Sequence, residues 1–214
     1  PKLVVDAVDQ QMGKGMVYNA PSAHQIRLAK LLCDRIPSFD LVRFTNSGTE
    51  ATLNTIRAAR AVTGKSKIAK VEGGYHGSHD QVSVSVRTNP AKSGKRTRPD
   101  AMPATEGLGE GTLDQVVVVP FNETDIAKQR LEENKEDLAA VIVEPMLGSV
   151  GMLPATSEFL TMLREFTTNN GIVLIFDEVI SYRAASGGCQ EYYGITPDMT
   201  SLGKIIGGGF SIGA

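Results

Sequence analysis

The 214-residue chain has no tryptophan, two cysteines and no large excess charge of either sign, and the last two each narrow the classes of function open to it. Cys33 and Cys189 stand too far apart in sequence to suggest a metal-binding spacing or a disulfide framework. Such sparing use of cysteine suits a reducing compartment, and the cytoplasm is the default location. The 22 Lys+Arg against 24 Asp+Glu give no global attraction to nucleic acid or to an acidic membrane. No run of 18 apolar residues occurs and the amino terminus carries no signal-peptide pattern, so no membrane association is expected. Hydrophobic residues make up 41% and aromatics only 6%, which points to an aliphatic core. The chain opens on PKLVVDAV, already inside a helical pattern, and stops at SIGA after a glycine-rich turn. Both ends read as cuts, so residues 1–214 are expected to form one partial domain of a longer protein.

What is present alternates. Val4 to Met16 has helical spacing, and Ser22 caps a second helix through about Ile36 with Ile26, Leu28, Ala29, Leu31 and Leu32 on its buried side. Leu41 to Thr45 reads as a short strand, and a helix follows from about Ala51 to Val62. Strands are expected at Ser66–Val71, Val116–Val119, Ala139–Val143, Ile172–Phe176 and Asp198–Leu202. Between them, Asn122 caps a helix from Thr124 to about Asp137, and Thr156 or Ser157 caps another that runs to Asn169. Arg87 to Gly111, with Pro90, Pro99, Pro103 and the basic residues Lys92, Lys95, Arg96 and Arg98, has no interleaved aromatics and reads as a solvated excursion. Strand–helix alternation implies an α/β fold: a mainly parallel, doubly wound sheet with helices on both faces.

The chemistry gathers near the carboxyl end. The apolar run Ile172–Phe176 breaks into Asp177 and Glu178, and charge at the carboxyl end of a buried parallel strand is where open α/β sheets hold ligands. Lys204 follows Gly203 and precedes Ile205–Gly209, small apolar neighbours that would let its amine be desolvated and act as a nucleophile. A carboxylate that stays ionised and a lysine that forms an imine are what pyridoxal phosphate (PLP) requires. Taken alone, the pair also fits a turn-forming Asp and a solvated loop Lys.

Two glycine-rich stretches add to it. Asn46-Ser47-Gly48-Thr49-Glu50 opens a helix with the S-x-x-E spacing of a capping box. Its amino terminus, with Ser47 and Thr49 hydroxyls and Gly48 allowing close approach, is suited to a phosphate, although a well-capped helix needs nothing more. Gly73-Gly74-Tyr75-His76-Gly77 follows a strand and sets Tyr75 where it could stack on an aromatic ring. His76 and His79 are three apart, but the flanking glycines indicate a turn and no third ligand is evident, so no metal is expected.

NSGTEA (46–51), GGYHG (73–77), VEP (143–145), IFDEV (175–179), GGCQEYYGITPD (187–198) and TSLGKIIGGG (200–209) occur in one order. Together they resemble the class III aminotransferases of PLP fold type I, in the branch of glutamate-1-semialdehyde aminomutase and β-amino-acid transaminases. The resemblance spans essentially the whole chain and implies the PLP-binding large domain. It implies Lys204 as the Schiff-base lysine and proton carrier, with Asp177 on the pyridinium nitrogen. Val179 and Tyr75 would pack on the two ring faces, and Ser47, Gly48 and Thr49 would hold the phosphate. Glu144 would lie near the cofactor in a supporting role, with His76 beside the stacking residue, its role open. It further implies a homodimer with a shared active site.

The activity so implied is transfer of an amino group between an amino acid, β-amino acids included, and a keto acid or aldehyde. The alternative is the aminomutase, which returns the amine to the same carbon skeleton. After IFDEV this chain has Ile180-Ser181-Tyr182-Arg183 where aminomutases tend to have Met-Thr-Gly-Phe-Arg, and Met146–Gly151 looks more like the β-amino-acid transaminases. No substrate-carboxylate arginine is assigned, and neither Arg43 nor Arg183 is given that role. A nucleotide-binding module is a remote alternative: no G-x-G-x-x-G follows the first strand, and LGKIIGGG is not a phosphate-binding P-loop.

Overall fold

Four consecutive valines, Val116–Val119, are all buried, and so are all six residues of Leu138–Val143. Strands this uniformly apolar belong between two covering layers. In the computed structural model, which describes residues 1–89 and 91–214, they lie in a five-stranded sheet. Its strands are β1 (Lys67–Val71), β2 (Val116–Val119), β3 (Leu138–Val143), β4 (Val173–Asp177) and β5 (Met199–Ser201), in the order β2-β1-β3-β4-β5. Every pairing in it is parallel. The chain runs outward from β1 to β2 and then returns to the other side of β1, so strand order reverses between β1 and β3. In open α/β sheets the crevice at such a reversal is the ligand site.

The helices are α1 (Lys2–Met12), α2 (Ala23–Arg35), α3 (Gly48–Thr63), α4 (Thr124–Glu132), α5 (Ser157–Asn170) and α6 (Cys189–Tyr193). Period-two alternation divides the sheet residues between two cores. Ala69, Val71, Val141, Val143, Leu174 and Phe176 pack with Ala127 and Leu131 of α4 and Phe159, Leu160 and Leu163 of α5. Ile68, Ala140, Ile142, Val173 and Ile175 pack on the opposite face with Ile56 and Ala59 of α3 and with Val82 and Val84. Asp177 follows Ile175 by two and so shares the α3 face.

Several expectations need correction. Leu41–Thr45 forms no strand: both edges of the sheet are formed by β2 and β5, and only Thr45 makes a bridge, to Gly213. α1 stops at Met12 and buries none of its residues. α2 is closed by a full capping box between Ser22 and Gln25, but only Leu32 is buried, while Ile26 and Leu31 are exposed. Asn122 does not cap α4. It takes φ 59, donates to the Pro154 carbonyl at 3.1 Å and accepts from Thr156 N–H at 2.9 Å, tying the entry of α4 to that of α5. α4 ends at Glu132, where Asn134 folds back on the Arg130 carbonyl at 2.8 Å. Thr156, not Ser157, caps α5. The excursion after Arg87 is only partly solvated: Gly94–Lys95 pairs with Arg98–Pro99, and Ala101 and Leu108 pack on the core. Pro90 lies outside the described residues. The pairing of Met146–Leu147 with Leu153–Pro154 and the short helix α6 went unforeseen.

Candidate active site

Asp177 is the last residue of β4 and is buried, and its carboxylate has two fixed partners. Oδ1 accepts the Val179 N–H at 3.1 Å, and Oδ2 lies 2.8 Å from His76 Nδ1. An ionised carboxylate only accepts, so the imidazole proton sits on Nδ1. His76 Nε2 is buried and has no protein partner. His79 goes elsewhere, to Gln81 at 3.2 Å and Thr52 at 3.3 Å.

His76 and Tyr75 sit on the turn after β1, and that turn is bound on every side. Tyr75 N–H donates to Glu144 Oε1 at 2.8 Å, across the reversal point between β1 and β3. Glu144 Oε2 accepts the Gly148 N–H at 3.1 Å. Burial pushes the Glu144 carboxyl above its ordinary pKa, while His76 and the two amides draw it back. Thr52 of α3 donates to the His76 carbonyl at 2.6 Å. Gly77, at φ +109, lies so close to α3 that a Cβ would come within 2.8 Å of Thr49 Cα.

At the start of α3, Ser47 Oγ accepts the Glu50 N–H at 3.2 Å. The box is displaced by one residue from the expected one, because Glu50 reaches the Asn46 N–H at 3.0 Å rather than that of Ser47. The Ser47 hydroxyl proton and the first-turn N–H groups have no carbonyl of their own helix to meet. Gly48 is where Val179 seats: a Cβ there would lie 2.8 Å from Val179 Cγ2.

Lys204 is exposed, so the desolvation expected from its small neighbours is not realised. Gly203 is extended and Lys204 turns into a single 3-10 turn, Lys204–Gly207. Its φ of 44 is uncommon for a residue with a Cβ, a strain that concentrates at functional sites. Glu178, the neighbour of Asp177, points away from the cleft. It is fully buried and accepts the Cys189 N–H, the Gln190 N–H at 3.3 Å and Gln190 Nε2 at 3.0 Å, holding the amino end of α6.

These elements enclose a cleft of about 140 Å³ lined by Ser47, Gly48, Thr49, Tyr75, His76, Glu144, Asp177, Val179 and Lys204, together with Gly77 and Ile180. The nine residues that the sequence assigns to the site meet there, while Glu178 and His79 do not. A larger hollow of about 570 Å³ beside Arg43, Asn54 and Arg57 includes none of them. Sequence reasoning missed Thr52 and Ile180, since a helix threonine and an isoleucine after a strand carry no distinguishing spacing. The bond from His76 to Asp177 joins residues 101 apart in sequence and had no local signal. For a phosphorylated pyridine aldehyde the donor set fits: anion donors at a helix start, a buried carboxylate, a half-exposed tyrosine, a valine and an amine around one cleft.

The family model for aminotransferase class III matches residues 1–214. A curated relative from Methanocaldococcus jannaschii, named glutamate-1-semialdehyde 2,1-aminomutase, is 47% identical over 212 residues, 99% of this chain and 48% of its own length. The crystal structure of an omega-transaminase from Sphaerobacter thermophilus is 49% identical, with a TM-score of 0.94 over 98% of this chain and 48% of that one. A structure described as a transaminase with PLP bound is 38% identical, with a TM-score of 0.88 over 98% of this chain and 48% of that one. The chain thus spans about half the length of the relatives it matches. On the whole-length family match and these identities, the chain belongs to the class III aminotransferase family.

Proposed function

We propose that this chain is the PLP-binding large domain of an aminotransferase that moves an amino group between an amino acid and a keto acid or aldehyde. The observation that carries the reading is the convergence of Asp177, Lys204, Tyr75 and the start of α3 on one cleft. PLP supplies an aldehyde that captures amines and a protonated ring that draws electrons from the substrate carbon.

The protein's part is orientation and proton control. Asp177, held by His76 Nδ1 and the Val179 N–H, would accept a hydrogen bond from the protonated ring nitrogen and so keep the proton on that nitrogen. Ser47 Oγ and the N–H groups of Gly48 and Thr49 bind the phosphate at the positive end of α3. Tyr75 and Val179 exclude water from the two ring faces. Glu144 fixes the Tyr75 amide and so would set where Tyr75 meets the cofactor. Lys204 Nζ would be the amine that holds the cofactor and the base that carries the proton at the substrate Cα.

The aminomutase is a second reading, favoured by the names of the curated relatives. Ile180 lines the cleft where the Met-Thr-Gly-Phe-Arg run of aminomutases begins, which favours the transaminase. Both readings include a homodimer, consistent with Leu3, Val5 and Met12 of α1, Val17 after it and Ile26 of α2 lying exposed. A cytoplasmic location goes with them, in keeping with the unpaired Cys33 and Cys189.

The full-length protein is mixed with PLP, reduced with borohydride and digested. An adduct mapped to Lys204 and lost in Lys204→Ala supports the cofactor reading, and its absence refutes it. Glutamate-1-semialdehyde turned into 5-aminolevulinate without an external acceptor selects the mutase; pyruvate-dependent consumption of a β-amino acid selects the transaminase.

A further inference from the structure

Lys70 has no exposed surface, and nothing in the cofactor chemistry uses it. It lies on β1, an interior strand, where an aliphatic residue would avoid the cost of taking an amine out of water. By alternation it shares the face of Ile68, which packs with Val82 and Val84. Its Nζ donates to the Val71 carbonyl at 3.0 Å and to the Ser85 carbonyl at 3.5 Å.

Those two carbonyls also hold the turn that carries Tyr75. Gly74 N–H donates to the Val71 carbonyl at 3.2 Å, and Gly73 N–H donates to the Ser85 carbonyl at 2.8 Å. Ser85 is itself fixed, at φ 48, with its N–H on the Met102 carbonyl at 2.7 Å. Its hydroxyl donates to the Asp100 carbonyl at 3.2 Å and accepts the Met102 N–H at 3.0 Å. A single amine therefore ties the end of β1 and the far excursion to both ends of the Gly73–Gly74 turn.

We infer that Lys70 is a positioning residue: by clamping the Val71 and Ser85 carbonyls it sets the turn that places Tyr75 on the cofactor ring and His76 against Asp177. The inference rests on the cleft being a PLP site, but its first consequence, a rigid turn, is a property of the protein alone. An aliphatic side chain at position 70 would fill the space and leave both carbonyls with one donor fewer.

The test compares Lys70→Met, which keeps an unbranched chain and removes the donor, with Lys70→Arg, which restores donors, both in the full-length protein. Without cofactor, amide exchange over residues 73–77 is expected to rise by about tenfold or more in Lys70→Met, while the β3 and α5 peptides keep their protection. The dissociation constant for PLP, read from tyrosine fluorescence quenching, is expected to rise about tenfold, and Lys70→Arg recovers part of both losses. If Lys70→Met does not fold, Lys70→Gln, too short to span both carbonyls, is read the same way. Unchanged exchange over 73–77 would overturn the inference, as would protection lost evenly across all peptides, which would make Lys70 a stability residue only. Failure of the wild-type protein to bind PLP would overturn the cofactor reading instead, and exchange over 73–77 would still decide the role of Lys70.

Discussion

His76 Nδ1 lies 2.8 Å from Asp177 Oδ2, with both side chains closed off from solvent at the floor of the cleft. The bond fixes the carboxylate's direction and leaves His76 Nε2 buried without a protein partner. An orphaned buried polar atom costs about 1–3 kcal/mol, and such costs persist where function requires them. Asp177 is thus oriented by a residue delivered from β1, two strands away from its own.

Removing that orientation is expected to impair catalysis more than folding. In His76→Ala the carboxylate keeps only the Val179 N–H, and a displacement on the order of 1 Å at a reacting group costs about 100-fold in turnover. His76→Asn, which retains a short donor, is expected to recover part of the loss. Steady-state kinetics with urea titrations check this: wild-type kcat in His76→Ala would sink the assignment.

The two adjacent carboxylates should separate cleanly. Glu178→Ala strips the partners from three N–H donors at the start of α6 and is expected to cost about 1–3 kcal/mol of stability, with PLP affinity nearly unchanged. Asp177→Ala should do the reverse: lose cofactor affinity and turnover with a smaller change in stability. Denaturant midpoints beside PLP titrations decide it, and equal effects in both variants would remove the distinction.

How much of this was legible in sequence follows from where each signal lies. β-branched runs such as Val116–Val119 and Ile172–Phe176 announce buried strands because burial on both faces needs an unbroken apolar run. The cleft-lining residues were legible because glycine-rich turns at strand ends concentrate in short motifs. Contacts between distant elements were not, and so Glu178 carried no role in sequence until its capping of α6 was seen. The exposure of Lys204 was likewise invisible, because small apolar neighbours in sequence do not ensure cover in space. Lys70 was passed over because a second lysine inside KIAKV reads as an interruption, not as a clamp that reaches a carbonyl fifteen residues further on.

Glycine at 48 and at 77 is a packing requirement. Gly48→Ala sets a methyl 2.8 Å from Val179 Cγ2, and Gly77→Ala adds a left-handed strain to a clash with Thr49. Each is expected to cost about 1–3 kcal/mol, by overpacking at position 48 and mainly by backbone strain at 77. Gly48→Ala should also weaken PLP binding, since Val179 moves into the ring's space. A Gly48→Ala protein with unchanged Kd for PLP would show that Val179 does not touch the ring.

Stability should rise with pH between about 7 and 9, and Lys70 is the reason. Desolvation lowers its pKa from 10.5 to about 7, against the opposing pull of Glu144 and Glu72. Between those values the unfolded chain holds a proton that the folded chain has released, so raising the pH favours the folded state by up to about 1.4 kcal/mol per pH unit. The gain is complete only above 10.5 and is lost as pH falls toward 7. Cys189 acts with the opposite sign: burial raises its thiol from 9.0 to about 11, so the folded chain keeps a proton there and stability falls as pH climbs past 9.0. The window from 7 to 9 therefore isolates Lys70. Urea unfolding across it should show the positive slope in the wild type and a much flatter line in Lys70→Met. A slope that survives the substitution would mean that the amine is charged in the folded protein at pH 9 and that some other group titrates.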